Sequence, residues 1–356
     1  MVGDAVKPTS MTESPLDLHR KQNRDRARLV VGLAVAAMAA VVLDLMTGPA
    51  GLGLGETLRA LIGVGDVPRG TQVIVRDVRL PVALLAFLAG AALSLAGAEM
   101  QTILDNPLAE PFTLGVSASA ALGAATAIIL GISLPFVPKI WSVSTNAFLF
   151  AIAALALLHL LGRLRGGGSE VLILFGVALN FAAGAFLSLL QFVASADALQ
   201  QLVFWTMGSL SSANTTGVLM ISLILLVALP FSLRASWQLT ALRMGEDQAR
   251  GFGVNVTALR RYALLRISLL SAAAVSLTGV IGFVGLAGPH IARMLVGEDH
   301  RFFLPASVFA GGAILSLAST LSKTLVTGVL LPVGLVTSLI GLPIFFWLIL
   351  RGRETL

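Results

Sequence analysis

The sequence predicts an all-α integral membrane protein with about ten transmembrane helices. Hydrophobic residues make up 56% of the 356 residues and charged residues only 12%, which is too little polar surface to cover a water-soluble globule of this size. The apolar stretches are continuous and lack the two-residue alternation of a β-barrel strand. The 36 glycines, together with abundant Ala and Ser, fit helices that pack closely within lipid.

Ten apolar segments are long enough, or nearly so, to cross a hydrocarbon core of about 30 Å as helices. We predict them at residues 29–46, 80–104, 113–132, 146–161, 171–194, 217–233, 262–280, 283–296, 303–322 and 332–350. The eighth segment is short, so we expect a half-helix that is reached through irregular backbone within the protein. Residues 1–28 are polar and basic, and we predict a cytoplasmic N-terminal segment ahead of one transmembrane domain at 29–356.

Basic residues indicate the orientation of the helices, since cytoplasmic loops carry an excess of Lys and Arg. An even number of crossings places both termini on one side. Besides the basic tails, that side holds Arg163, Arg165, Arg234, Arg243, Arg250, Arg260, Arg261, Arg266, Arg293 and Arg301. The opposite side holds Arg59, Arg69, Arg76, Arg79, Lys139 and Lys323. Both termini are therefore expected in the cytoplasm, and the net charge of +6 reflects topology rather than a nucleic-acid partner.

An internal repeat relates the two halves of the chain. At an offset of 182 positions, Gly97, Pro107 and Gly115 recur as Gly279, Pro289 and Gly297. The second predicted helix runs inward and the seventh outward, so the repeat is inverted. This arrangement is typical of transporters that bind cargo between two halves.

Two stretches at corresponding places combine helix-breaking and small residues. The first, NPLAEPFTLGVSASAALGA at 106–124, begins with Asn106 and is predicted to break a helix at Pro107 and Pro111. The second, GFVGLAGPHIARMLVGEDHR at 282–301, is predicted to break around Gly288 and Pro289.

These stretches resemble the FecCD family of permeases, which serve importers of ferric siderophores, haem and vitamin B12. RLPV at 79–82, GEDQARGFGV at 245–254 and LPVGLVTSLIGLPIFFWLIL at 331–350 carry the same resemblance, which covers nearly all of the chain after residue 28. It implies the type II importer fold of the ATP-binding cassette (ABC) class, in the bacterial cytoplasmic (inner) membrane. TLGVSA after NPLAEP and FWTMGSL at 204–210 resemble siderophore permeases most, which implies a ferric siderophore as cargo.

The resemblance also implies the partners: a second permease subunit in a homodimer, two ATP-binding subunits and an external substrate-binding protein. The sequence has no Gly-x-x-x-x-Gly-Lys-Ser/Thr phosphate loop and no cysteine. We therefore expect no catalytic residue, cofactor or metal in this chain, with ATP and Mg²⁺ bound by the partner ATPase.

The segment between the sixth and seventh predicted helices is expected to receive the force of the ATPase, as the resemblance implies. Glu246 and Arg250 stand one helical turn apart, while glycines allow the chain to leave one helix and enter another. A plain solvated loop is the alternative. The proposed ATPase-coupling residues are Gly245, Glu246, Asp247, Arg250, Gly251 and Gly253.

The remaining functional residues follow from the resemblance. Docking of the binding protein is assigned to Arg76, Arg79 and Lys323, although basic residues at helix ends often only snorkel to the interface. The translocation path is expected along the fifth helix. The path and gate residues are Asn180, Gln191, Arg163, Trp205 and Met207.

Other transport and catalytic classes remain as alternatives. A haem or cobalamin importer of the same family would share these motifs. An ion-coupled secondary transporter would require several buried ionisable residues at mid-membrane, and the sequence offers no clear set. A membrane-embedded enzyme would require clustered nucleophiles or metal ligands, whereas the four histidines are dispersed.

Overall fold

The computed structural model describes residues 15–48, 51–164, 168–326 and 328–351. Within these ranges the chain is mainly α-helical, with a π-helical turn at Ile74–Arg79 and a 3-10 turn at Lys139–Trp141. The α-helices follow in chain order. They are α1 (Pro15–Met46), α2 (Leu54–Ile62), α3 (Arg69–Val73), α4 (Leu80–Ile103), α5 (Val116–Leu130), α6 (Ser142–Leu164), α7 (Ser169–Val193), α8 (Ala196–Thr206), α9 (Thr215–Arg234), α10 (Ser236–Leu242), α11 (Glu246–Gly251), α12 (Val256–Thr278), α13 (Val284–Val296), α14 (His300–Thr324) and α15 (Val333–Arg351).

Every one of the ten predicted membrane segments coincides with a helix: α1, α4 to α7, α9 and α12 to α15. Among the described residues, six helices are long and apolar enough to cross a membrane by length and composition, and α5, α13 and part of α15 are shorter apolar helices. The predicted half-helix is α13, which has 13 residues. The all-α multi-span fold is thus confirmed.

The first helix does not begin at the predicted boundary. It starts at Pro15 and continues past residue 28 to Met46, a total of 32 residues. Between Leu16 and Val31 the sequence has no Gly or Pro, and its Arg, Lys, Gln and Leu residues all favour the helix. The polar N-terminal segment is therefore, from Pro15 onward, the first part of a membrane helix rather than a separate unit.

Helix α4 forms the centre of the bundle and is buried along most of its length. It packs against α12, α13 and α14. Gly90 faces the carbonyl of Gly311, and Gly97 faces that of Gly285, so closely that a Cβ atom at either position would overlap backbone. Small residues let these helices approach more closely than larger side chains would allow.

The two halves repeat the same order of elements, as predicted. In α4–α5–α6–α7 and in α12–α13–α14–α15, a long helix is followed by a short one of 15 or 13 residues. The fixed offset of 182 does not pair equivalent residues throughout, however. Pro107 lies in the irregular segment after α4, whereas Pro289 lies inside α13, because α12 begins 176 positions after α4 and α13 begins 168 positions after α5.

Candidate functional site

The segment 244–254 forms a short helix and turn between α10 and α12. Gly245 precedes α11 with φ of 110°, a conformation that L-residues rarely adopt. At the other end, Gly253 has φ of 82°, and its N–H donates to the Arg250 carbonyl at 2.9 Å. The Val254 N–H donates to the Ala249 carbonyl at 3.0 Å, which completes a Schellman cap. These glycines therefore set a defined turn rather than a loose loop.

Glu246 links this segment to the bundle. Its carboxylate pairs with Arg250 at 2.6 Å, as the spacing predicts, and also with Arg260 on α12 at 2.9 Å. The Nε atom of Arg260 donates to the carbonyl of Ile103, the last residue of α4, at 3.1 Å. Asp247 and Gly251 remain exposed. The segment thus presents an exposed surface and is joined to the C-terminal end of α4. We call this end of the bundle the Ile103 end.

Arg243 connects the segment to two further elements at the Ile103 end. It pairs with Asp105, just beyond α4, at 2.6 Å and with Glu298, just beyond α13, at 2.8 Å. Arg293 on α13 also pairs with Glu298, at 3.3 Å. Sequence reasoning treated these arginines only as topology signals, because their partners lie far away in the chain.

The three predicted docking residues lie at the opposite end of α4, the Arg79 end, where each caps the C-terminus of a helix. Arg76 donates to the carbonyls of Ala60 and Leu61 at the end of α2, at 2.9 to 3.2 Å. Arg79 donates to the Met46 carbonyl at the end of α1, at 3.0 Å. Cationic groups are favoured there by the helix dipole.

Lys323 pairs with the carboxylate of Asp44 at 2.7 Å, and the side chains are 9% and 0% exposed. Arg79 is also buried, whereas Arg76 and its neighbours in a π-helical turn at 74–79 are mostly exposed. Of the three predicted docking groups, Arg76 is therefore the one that presents free surface in the isolated chain. The docking role itself stays a prediction.

The first helix break lies where the sequence placed it. Asn106, Pro107 and Pro111 occupy the irregular segment between α4 and α5, in which the Asn106 side chain accepts the N–H of Leu108 at 3.0 Å. In the same segment the buried carboxyl of Glu110 accepts a hydrogen bond from the backbone of Phe283. Glu110 thus joins this break to the start of α13, a contact that the sequence did not reveal.

The predicted break at Gly288 and Pro289 is wrong, because both residues lie inside α13. The chain leaves helical geometry earlier, between Gly279 with φ of 70° and Phe283 with φ of 67°. Pro289 cannot donate to the Gly285 carbonyl one turn back. The Gln101 side chain donates to that carbonyl instead, at 3.4 Å, so the helix continues through the proline.

Helix α7 carries two of the predicted path residues and leaves a broad apolar surface uncovered. Asn180 is exposed and Gln191 is half-buried. On the same helix Phe181 is 73% exposed and Phe192 is 87% exposed. Such a surface on a monomer marks a place that lipid, cargo or another subunit covers.

The predicted outer gate lies where three helix ends meet. Trp205 lies in the last turn of α8, and its carbonyl lies against Gly279 at the end of α12. Met207 follows, and its carbonyl abuts Gly334 in α15, while Ser209 N–H donates to the Thr278 carbonyl at 2.7 Å. The predicted inner gate is Arg163, in the last turn of α6. Its side chain and residues 165–167 lie outside the described part of the chain.

One buried ion pair was missed altogether. Arg266 on α12 binds Glu99 on α4 through three hydrogen bonds of 2.8 to 3.1 Å, and Glu99 is fully buried. The only sign of this pair in the sequence is an acidic residue in one apolar segment and a basic residue in another. Among the described residues, no group of three or more His, Asp or Glu side chains is arranged to hold a metal ion.

A profile of the FecCD transport family matches residues 36–351. The chain belongs to the FecCD transport family. This FecCD protein is 40% identical over 278 residues to the hemin transport system permease protein HmuU of Yersinia pestis, covering 78% of this chain and 83% of that one. It is 35% identical over 343 residues to the vitamin B12 import system permease protein BtuC of Vibrio vulnificus, covering 95% and 99%.

A solved structure, an inward-facing conformation of a metal-chelate type ABC transporter, has a TM-score of 0.79 and 31% identity, covering 91% of this chain and 99% of that chain. The predicted family and the type II importer permease fold are confirmed. The FecCD protein is accordingly a multi-pass membrane permease of the ABC class.

Proposed function

We propose that this permease forms the membrane passage of an ATP-driven importer for a bulky metal chelate, with a ferric siderophore as its cargo. The observation that carries the proposal is the coupling segment 244–254. It exposes Asp247 and pairs with Arg260 of α12 through Glu246, and it directly follows Arg243, whose ion pairs reach the turns after α4 and α13. The uncovered face of α7 is mainly apolar, with Asn180, Ser188 and the half-buried Gln191 as its polar members and Glu170 in the first turn of the helix. This face fits a large chelate that is held loosely.

Two ATP-binding subunits contact the permease at its Ile103 end. They bind and hydrolyse ATP with Mg²⁺, which supplies the energy for transport. When they close, they push on 244–254, and Arg260 passes the displacement to the C-terminus of α4. Arg243 passes it to the turns that follow α4 and α13. The segment that leads into α13 lies against the outer gate at Gly279 and Val280, so movement at one end of α13 changes the packing at the other.

The contact between the ATPase and segment 244–254 also determines how the permease is oriented in the membrane. The Ile103 end and both termini lie in the cytoplasm, and the Arg79 end receives the substrate-binding protein at the outer surface of the cytoplasmic membrane. Arg76 provides an exposed cation for docking, while Arg79 and Lys323 hold the ends of α1 and α14 beneath it. A second copy of the permease completes the passage along the exposed faces of α7.

The coupling role is tested with Asp247→Lys in the reconstituted complex of permease, ATPase and binding protein. Asp247 is exposed and, unlike Glu246, has no ion pair to lose within the described chain. We expect uptake and stimulated ATP hydrolysis to fall at least about tenfold, which corresponds to about 1.4 kcal/mol of lost coupling. Asp66→Lys, an exposed acid at the Arg79 end, serves as the matched control. Equal effects of both changes would exclude the coupling role.

The cargo is tested separately with the unchanged complex in proteoliposomes. Ferric siderophores, haem and a corrinoid are supplied in turn with the binding protein, and uptake and ATP hydrolysis are measured. A ferric siderophore is expected to stimulate both. Stimulation by haem or corrinoid alone would overturn the siderophore assignment and leave the permease function intact, whereas uptake without ATP would overturn the ATP-driven mechanism.

A further inference from the structure

Helix α1 has two distinct faces along its whole length. One face packs against the bundle through residues spaced alternately three and four apart, the spacing of one helix face. These partly or fully buried residues are Asn23, Arg26, Val30, Leu33, Ala37, Ala40 and Asp44. The contact extends beyond the apolar part, since Arg26 lies 3.8 Å from Asp299 at the Ile103 end.

The opposite face begins with basic residues and continues with apolar ones. It carries Arg20, Arg24, Arg28, Val31, Val35, Met38 and Val42, each three or four residues after the one before. All seven are exposed. We call Arg20, Arg24 and Arg28 the basic stripe. Lys21 lies beside it, while Asp25 pairs with Arg28 at 3.1 Å and Asp17 lies near its start.

The position of the basic stripe identifies what surrounds it. Val31 and Val35 are 62% and 65% exposed in the apolar part of α1, where a membrane helix meets lipid tails, and the stripe continues the same face toward the N-terminus. At 1.5 Å per residue, Arg20 lies about 14 Å from Leu29, and Arg24 and Arg28 lie closer. The headgroup layer is about 5–7 Å thick on each side, and long basic side chains reach back toward it. The neighbours at this depth are the headgroups of the lipids that solvate α1.

We propose that the basic stripe binds the phosphate groups of anionic phospholipids in the leaflet at the Ile103 end. Clusters of basic residues beside a membrane helix attract anionic lipid with about 1 kcal/mol per residue. A protein partner is less suited to this face, because the stripe continues the exposed face that carries Val31 and Val35 in the apolar part of α1.

The test uses the full-length permease, delipidated in detergent and titrated with phosphatidylglycerol or phosphatidylcholine. Lipid retention is measured by native mass spectrometry. The test variant carries Arg20→Gln, Arg24→Gln and Arg28→Gln. The control variant loses the same charge from exposed positions at the other end of the bundle through Arg59→Gln, Arg69→Gln and Lys139→Gln. We expect the test variant to lose at least about tenfold in affinity for phosphatidylglycerol and the control to lose less than about threefold.

A charge-preserving variant with Arg20→Lys, Arg24→Lys and Arg28→Lys controls for folding and is expected to retain the lipid. Equal loss in both glutamine variants, or equal loss of both lipids, would overturn the proposal. So would undiminished phosphatidylglycerol binding by the test variant. If that variant also failed to co-purify with its ATPase subunits, the stripe would be a protein contact instead. Lipid retention does not depend on the cargo or on transport, so this result is independent of the proposed function.

Discussion

The ion pair between Glu99 and Arg266 allows a quantitative test of how the bundle is held together. The Glu99 side chain is 0% exposed and that of Arg266 is 12% exposed, so each group depends on the other for solvation. Removing one partner of a buried pair leaves an unpaired charge and costs about 3–5 kcal/mol. Replacing both partners with apolar residues removes that penalty. We therefore expect Glu99→Met and Arg266→Met each to lose about 3–5 kcal/mol and the double variant to lose less than either.

The assay is equilibrium unfolding of the purified chain in mixed micelles with increasing SDS, followed by tryptophan fluorescence. The exposed pair of Arg28 and Asp25, at 3.1 Å, provides a matched double-mutant cycle with an expected coupling below about 1 kcal/mol. If Glu99→Met costs less than about 1 kcal/mol, the pair is not desolvated as the structure indicates. If the double variant loses the sum of the two single losses, the two groups act independently and the reasoning fails.

Three further predictions follow. Gly97→Ala is expected to lower the free energy of unfolding by about 1–3 kcal/mol in the same assay, because the new Cβ would overlap the Gly285 backbone. Gly32 faces open space, so Gly32→Ala should be neutral or stabilising. Equal losses of stability in the two variants would contradict the contact. Burial raises the pKa of Glu298, but the hydrogen bond and charge of Arg243 and the charge of Arg293 outweigh burial, so its pKa lies below the ordinary value of 4.5. The charged carboxylate of Glu298 therefore stabilises the folded chain above that pH, and this contribution is lost as the pH falls. Glu298→Gln should make the unfolding midpoint fall less steeply with decreasing pH. An unchanged dependence of the midpoint on pH would refute the assignment. Arg76→Glu is expected to reduce binding-protein-dependent uptake several-fold with unchanged basal ATP hydrolysis, while Arg59→Glu at the same end serves as control and should have little effect.

The sequence was sufficient to locate the ten membrane helices because long apolar runs have few alternatives to the helix in lipid. It did not reveal α2, α8 or α10, which are too short to show a membrane signal. Pro289 was placed at a break because proline removes a helical hydrogen bond. The helix survives because Gln101, distant in sequence, satisfies the free carbonyl, and no local rule contains that information.

The candidate site shows the same division between local and distant effects. The turn at Gly245 and Gly253 and the pairing of Glu246 with Arg250 were readable from spacing alone. The ion-pair partners of Arg243 and Lys323, and the Ile103 carbonyl that Arg260 binds, lie 55 or more residues away, so these contacts could be found only in the folded chain. A basic residue that marks topology and one that also anchors a helix look alike in the sequence.

The glycine contacts along α4 constrain which motions the bundle permits. Gly90 and Gly97 rest directly on the backbones of α14 and α13, with no side chain between them that can change rotamer. Sliding one of these helices past another would drive carbonyl groups into neighbouring Cα atoms. The central helices must therefore tilt together as one rigid block, and the change of shape that admits or releases a solute falls to the loosely covered helices around it, α7 foremost.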